Sequence, residues 1–310
     1  MFEEGFYYGR CRLLITASGK QNEGCPIIVT NSDKSREFEG VIVDGRCEIY
    51  VPGRDEYTVS IYDADKEAVR KSTTVICGYG EFKKVEVGVY TEGSIEIKGV
   101  VNEGKPEDYY SAGDQVIFKE NGVNVKYDIL HVNYKKEEFG ANVILGRHDA
   151  LPVAKYMNKR GVNTGGFGAS EVCKYLNNEF ITTLPDDLQA SISTFKFSAG
   201  VGNGQNAVRE EEHKIWLPVE YNVFGEIKYS VAAEHSGAVL PLQFSYFSAA
   251  NRGQFVKCLG DSGAITDWWL ASPFSTNGFC YVTKSGGAHR VDARYERGVV
   301  PCFMIAADGE

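Results

Sequence analysis

Trp268-Trp269-Leu270-Ala271-Ser272-Pro273 opens the stretch that decides the reading, and Gly298-Val299-Val300-Pro301-Cys302-Phe303-Met304-Ile305 closes it. Both are short apolar runs of strand type. Between them lies a polar, Gly-rich segment around Phe279-Cys280-Tyr281-Val282 and Ser285-Gly286-Gly287. Tyrosine gives rigid contact area at low entropy cost, and Ser, Gly and Asn adapt their hydrogen bonding, so apolar edges around such a middle suit a binding surface. A solvated terminal hairpin has the same composition, because exposed strand faces are polar too. In a strand the two tryptophan rings point to opposite faces. One then fills the core, and the other is left for a ligand to stack on. By the same alternation Val299 and Phe303 share one face, and Val300 and Cys302 the other.

Composition bounds the rest. A chain of 310 residues accommodates two ordinary domains, and 43% hydrophobic with 24% charged residues is the balance of a folded protein. The net charge of −9 argues against a nucleic-acid partner, which needs a basic face, and Lys155-Tyr156-Met157-Asn158-Lys159-Arg160 is too short a patch to reverse that. No apolar run approaches about 20 residues, so no membrane insertion is expected. Met1-Phe2-Glu3-Glu4-Gly5 is acidic and lacks the basic start and apolar block of a secretory signal, which suggests folding in a cytoplasm. Cys11, Cys25, Cys47, Cys77, Cys173, Cys258, Cys280 and Cys302 are scattered singly. With no CxxC pair or Cys/His cluster, they read mostly as small buried hydrophobes, with neither a structural zinc nor a disulfide framework.

Residues 1–101 read as an all-β sandwich. Cys11–Thr16, Pro26–Thr30, Gly40–Val43, Arg46–Val51, Tyr57–Tyr62, Thr73–Ile76, Lys83–Val89 and Ser94–Val101 are short strand-like runs, and the polar Ser18–Gly24 stretch separates the first two. Asp44-Gly45 is the strongest hairpin signal among them. Residues 102–110, charged and containing Gly104 and Pro106, read as a linker. Residues 111–310 read as α+β. Ser170 can cap a helix with Val172, Leu176 and Phe180 on one stripe; Pro185 suits the first turn of a second helix with Leu188 and Ile192 inward. Long polar loops are expected over Gly200–Asn206 and Asn251–Thr266.

The sequence carries none of the common catalytic motifs. There is no G-x-S-x-G elbow, H-E-x-x-H, P-loop or strand-linked G-x-G-x-x-G. Gly200-Val201-Gly202-Asn203-Gly204 lacks the Lys-Ser/Thr that would hold phosphate and metal. Glu210-Glu211-Glu212-His213 could be imagined as metal ligands, but neighbouring residues point apart, and a solvated charged face is the better reading.

The pattern W-W-L-x-S-P, a Y-V-x-x-x-G turn and G-V-x-P-x-F resembles a family of uncharacterised C-type-lectin-like domains found in gut bacteria and in their phages and prophages. Ala112–Phe118 resembles its opening strand, Ser170–Phe180 its helix, and Lys214–Tyr221 its central strand and turn. Residues 38–63 resemble prealbumin-like or immunoglobulin-like modules more weakly. The resemblance implies a C-type-lectin-like α+β domain behind the β-sandwich. It also implies a non-enzymatic virion protein, assembled in the host cytoplasm as a homo-oligomer, that binds a host-surface glycan or protein receptor. Its N-terminal module would attach to other virion proteins. The side chains expected to bind are Asn277, Phe279, Tyr281, His289, Arg290, Asp292, Arg294, Tyr295 and Trp268. The Glu-Pro-Asn, Gln-Pro-Asp and Trp-Asn-Asp tripeptides of calcium-dependent sugar sites are absent, so no metal or cofactor is expected. The alternatives are a ligand-free head or tail decoration and a formylglycine-generating type of copper enzyme. The latter would use Cys280 and Cys302, which otherwise read as core.

Overall fold

A computed structural model describes residues 9–17, 22–62, 66, 69–87, 91–92, 94–235, 241–248 and 252–308. The acidic start at Met1–Gly5, most of the Ser18–Gly24 stretch, residues 88 and 89, and Asn251 lie outside them. The described chain is β-rich with short helices and several sheets. It forms two compact units, Met1–Tyr90 with Asp108–Asp114, and Thr91–Glu107 with Gln115–Glu310.

The first unit carries β1 (Arg10–Thr16), β2 (Pro26–Asn31), β3 (Glu37–Val41), β4 (Arg46–Pro52), β5 (Asp55–Tyr62), β6 (Val69–Cys77) and β7 (Phe82–Glu86). They form a three-stranded sheet in the order β4-β1-β7 and a four-stranded sheet in the order β3-β2-β5-β6. Every second residue turns inward: Cys11, Leu13 and Ile15 from β1 meet Ile49 and Val51 from β4, and Ile27, Val29, Val59 and Ile61 from the other sheet, in one core. Asp44 and Gly45 both take positive φ, 51° and 71°, and Val43 and Arg46 exchange the two hydrogen bonds of a tight turn. The strands beside that turn, β3 and β4, nevertheless belong to different sheets. The Asp-Gly turn therefore links the two sheets and does not close a long hairpin.

The second unit begins with β8 (Thr91–Glu92) and α1 (Ser94–Asn102). The strand expected over Ser94–Val101 is this helix. Ser-Ile-Glu-Ile-Lys alternates like a strand, but Ile97 and Val101, four residues apart, are both buried. Tertiary bonds complete the case: Lys98 Nζ donates to the Ala306 carbonyl at 2.7 Å and pairs with Asp308 at 2.8 Å. Asn102 and Asp308 exchange two more hydrogen bonds. Residues 102–110, read as a linker, contain a 3-10 turn at Pro106–Asp108 with Pro106 buried, and Glu107 accepts from Asn133 at 2.6 Å. The division between the two units passes through this stretch, between Glu107 and Asp108.

The unit continues with β9 (Gln115–Glu120), β10 (Val123–Val132), α2 (Lys136–Phe139), β11 (Asn142–Arg147), β12 (Lys155–Tyr156), α3 (Glu171–Asn178), α4 (Asp186–Ser191), β13 (Phe195–Gly200) and β14 (Val208–His213). It ends with α5 (Glu220–Phe224), α6 (Ser245–Ser248), β15 (Lys257–Cys258), β16 (Ile265–Thr266), β17 (Trp268–Phe274), β18 (Gly278–Val282), β19 (Ala288–Asp292), β20 (Glu296–Arg297) and β21 (Cys302–Ala306). One sheet runs β21-β11-β10-β9-β8 and another β17-β18-β19. Ser170 caps α3 by accepting from the Cys173 amide at 3.0 Å, and Val172, Leu176 and Phe180 form the buried stripe. Pro185 sits one place earlier than expected, as the residue that precedes α4. Lys214–Tyr221 supplies only a single bridge, Trp216 to Cys302, before α5 begins.

A buried ion cluster pins the larger sheet. Asp128, 1% exposed, faces Lys257 Nζ at 3.2 Å, His148 Nδ1 at 2.8 Å, Gln115 Nε2 at 3.0 Å and the Tyr246 hydroxyl at 3.0 Å. Burial opposes the charge, but Lys257, His148 and Gln115 outweigh it and hold the carboxyl well below the usual range. Asp128→Asn strands a buried ammonium and is expected to cost about 3–5 kcal/mol in urea denaturation. The contribution of the ionised group is complete above the unfolded pKa of about 4 and is lost as pH falls towards the folded value. A loss below about 1 kcal/mol would show that the cluster is dispensable. For α1, exposed Gly99 has open space where a Cβ would stand. Gly99→Ala should stabilise by about 0.5–1 kcal/mol and should exceed Gly99→Val. The reverse order would be that of a strand.

Candidate functional site

The segment between the framework strands divides sharply by exposure. All of Trp268–Pro273 is buried, and so is every residue of β18. Neither tryptophan is available to a ligand: Trp268 and Trp269 are both 0% exposed, and their indole N–H groups donate to the Phe255 and Lys155 carbonyls at 2.8 Å. The expectation that one ring faces outward fails because β17 is covered on both sides. Trp268 and Phe279 are therefore core residues, not contact residues. Tyr281 is nearly so, its ring edge-on to Trp269 at 6.3 Å. Val299, Val300, Cys302 and Phe303 are buried in the same way, on both of the faces that alternation assigned to them.

Asn163, fully buried, anchors the β17–β18 turn. Its amide donates to the carbonyls of Phe274, Ser275 and Gly278 at 2.8–3.0 Å, and its oxygen accepts from the Asn203 amide at 2.8 Å. The glycine-rich 200–206 loop is consumed by this anchor. Gly202 has φ +74°, and a Cβ there would lie 1.8 Å from the Asn163 carbonyl oxygen. The amides of Val201, Asn203, Gly204 and Gln205 all donate within the protein, so they form no phosphate cradle.

Outward side chains come from β19, the edge of its sheet, and from the turns beside it. His289, Arg290, Asn277, Arg294 and Tyr295 are exposed, and Asp292 is half-buried. Asn277, Asp292 and Arg294 bind one another: Asp292 accepts from Asn277 Nδ2 at 2.7 Å and from the Arg294 amide at 3.0 Å, and pairs with the Arg294 guanidinium at 3.3 Å. The others join a row of rings and cations. Arg290 lies 3.9 Å from the Phe274 ring centre and 4.9 Å from that of Tyr229. His289 lies 5.8 Å from Tyr229 and 5.5 Å from Tyr281. Arg297 sits over Tyr281 at 4.9 Å and Tyr295 at 5.9 Å. Tyr229, Phe274 and Arg297 escaped the sequence reading. Tyr229 lies far from β19 along the chain, and nothing local marks it. Next to Tyr295, Glu296 lines a cavity of about 480 Å³ with Lys155, Tyr156, Lys159, Lys174 and Tyr175, and Lys155 Nζ stands 3.7 Å from the Tyr175 ring centre.

Other chemical clusters are closed. Cys173 contacts both nitrogens of His213 at 3.6 Å, and His213 Nε2 meets Glu211 at 2.9 Å, an arrangement that superficially resembles a nucleophile and its base. Equal distances to both nitrogens place the sulfur beside the ring, not in line with one lone pair. Burial pushes the thiol up to about 12, away from thiolate. Glu210 and Glu212 pair with exposed Lys196, as a solvated face would, but Glu211 is buried between Arg209 and His213. Cys280 and Cys302 are buried free thiols in different sheets, and burial drives both upward. Seven of the eight cysteines are buried, with Cys258 half-buried, and none is in a disulfide. Among the described residues no group of three or more His, Cys, Asp or Glu could hold a metal ion.

What sets Tyr229 in place is a pair of buried carboxylates. Glu220, fully buried, accepts from the Tyr229 amide at 3.1 Å and the Ser230 amide at 2.8 Å. Ser272 of β17 accepts from the Glu220 amide at 2.8 Å and donates to Glu234 at 2.6 Å, while Glu234 also accepts from the Gly200 amide at 2.8 Å. Burial, reinforced by the Glu220 charge and opposed by those hydrogen bonds, raises Glu234 to about 7. A raised carboxyl binds its proton more tightly in the folded state. Its stabilising effect is full below the unfolded value of 4.5 and disappears as pH rises through about 7. Stability should therefore decline between these limits by about 3 kcal/mol from this group. Glu234→Gln should flatten that slope in chemical denaturation at pH 5 and pH 8; an unchanged slope would refute the assignment.

No curated protein and no solved structure matches the chain. The model of one family, described as "Domain of unknown function (DUF6273)", matches residues 140–307, which include the whole β17–β21 segment, and the protein belongs to that family.

Proposed function

We propose that this is a non-enzymatic, virion-associated protein of phage or prophage type whose second unit binds a glycan or protein receptor on the host surface. The observation that carries the reading is the row of exposed Arg290, His289 and Tyr295 with half-buried Tyr229, beside the buried strand β18. Tyrosine and arginine dominate the energetics of recognition surfaces, and side chains on an edge strand vary without disturbing a core. Two helices, α3 and α4, followed by loop-rich strands support a C-type-lectin-like arrangement of this unit. The all-β first unit would serve attachment to other virion proteins. Its β6 is a nine-residue edge strand with Ile76 71% exposed, the kind of edge a neighbouring protein can cover. Symmetric assembly would multiply a weak site by avidity. The reading requires no metal or cofactor.

The test is alanine substitution at Tyr229, Arg290 and Tyr295, scored separately for thermal midpoint and for binding to intact host cells and extracted surface polysaccharide. Each variant should keep its midpoint within about 2 °C, because these side chains lie at the rim of the fold. Binding should fall about tenfold or more for at least two of them, a loss of about 1.4 kcal/mol. Undiminished binding at all three positions would dismiss this surface and leave a decoration protein without ligand.

A further inference from the structure

We infer that the second unit holds a site for a small apolar amino acid, in a cavity that no side chain of β19 lines. The inference does not rest on the recognition reading above. A cavity of about 450 Å³ opens between the β9–β10 hairpin, the loop after β11, α3 and the turn at Phe180–Thr183. Its walls are largely apolar: Val125, Leu151, Phe180 and, at the rim, Val123 and Val153, which are 60% and 66% exposed. Both sides are pinned. The Asn121 amide at the hairpin turn donates to the Thr183 carbonyl at 2.7 Å, and the Lys155 carbonyl accepts from the Trp269 indole N–H at 2.8 Å. The space is thus formed in advance, with the size and lining of a small-molecule site.

Four polar groups line this cavity with bonding capacity unused among the described residues. Glu120 Oε1 accepts from the Tyr127 hydroxyl at 2.6 Å and from Arg147 Nε at 2.8 Å, while its Oε2 has no partner. Arg147, 4% exposed, donates from Nη1 to the Asp149 and Ala150 carbonyls at 2.9 and 2.7 Å, while its Nη2 donates to nothing. Lys155 Nζ stands 3.7 Å from the Tyr175 ring centre with no carboxylate partner, and the Tyr175 hydroxyl makes no hydrogen bond. None of these four atoms is sealed from open space. Burial, then the charges of Glu179 and Glu120, push the Tyr175 hydroxyl up, so it stays a neutral donor. Three donors, two of them cationic, therefore stand beside one free carboxylate oxygen. An α-carboxylate satisfies the donors, an α-ammonium satisfies Glu120, and an apolar side chain covers the valines. A phosphate would set a second negative charge against Glu120, and a sugar would leave the apolar walls unmatched. The 480 Å³ cavity that shares Lys155 and Tyr175 offers no such selectivity, since exposed Lys159, Lys174, Glu171 and Glu179 line it as a solvated face.

The experiment titrates the full chain calorimetrically with valine, leucine and phenylalanine. Beside leucine run glycine, N-acetyl-leucine, leucinamide and hexanoate, which lack the apolar side chain, the ammonium, the carboxylate and the ammonium respectively. At least one of the three apolar amino acids should bind. Leucine, or whichever binds best, should do so about tenfold or more tightly than glycine and than its own acetylated and amidated forms. Lys155→Gln and Val153→Asp should each weaken that binding about tenfold, whereas Arg290→Ala, which lines neither cavity, should stay within about twofold. Methyl NMR of the unmodified chain gives a second readout that no variant can compromise: the Val123 and Val153 methyl signals should shift on titration. Binding of none of the three, or equal binding of hexanoate, N-acetyl-leucine or leucinamide, overturns the amino-acid assignment. Full affinity in both Lys155→Gln and Val153→Asp, or unmoved Val123 and Val153 methyls, overturns the site.

Discussion

Strands covered on both faces govern the second unit. β11, β18 and β21 are buried at every residue, and β17 is buried as far as Pro273. Such strands have no outward face, so their side chains are all committed to packing, and any large-to-small change there opens a cavity. From Trp268 onwards, outward side chains are thereby confined to the edge strand β19 and to the turns and short strand beside it.

The same constraint creates a problem of register. A half-exposed strand resists a one-residue slip because the slip would carry its apolar set into water. A strand apolar on both sides has no such penalty. Buried polar groups with fixed partners supply the missing specificity: Asn163 on the carbonyls of Phe274 and Gly278, Ser272 on Glu234, and the indole N–H groups of Trp268 and Trp269 on the carbonyls of Phe255 and Lys155. Asp128 with Lys257 does the same for β10 and β15. Each would be left unsatisfied by a shift, and an unsatisfied buried polar group costs about 1–3 kcal/mol.

This explains which parts were legible in the sequence. In the first unit each strand has one solvent face, so Cys11, Leu13 and Ile15 or Tyr57, Val59 and Ile61 announce the core by period two. The parallel pairing of β1 with β7 leaves no local trace, since it joins residues far apart in the chain. In the second unit the cap at Ser170 and the stripe of Val172, Leu176 and Phe180 were readable because capping and helical period are local. The faces of Trp268, Phe279 and Tyr281 were not, because alternation says which residues share a face and nothing about whether that face is wet. Ser94–Val101 alternates for five residues and still forms a helix, since Lys98 and Asn102 find partners at the far end of the chain.

The candidate surface depends on this division of labour. Phe274 ends the buried strand β17 and is held there by Asn163; Tyr229 is held by Glu220; Arg290 leans on both. None of the anchoring bonds is made by an outward side chain of β19. A substitution at His289 or Arg290 therefore alters what the surface presents without loosening what supports it. A change at Asn163, Glu220 or Glu234 would do the opposite, displacing Phe274 or Tyr229 while every exposed residue keeps its identity. The exposed side chains and the bonds that position them thus belong to different residues, so substitutions on the edge strand carry little structural cost.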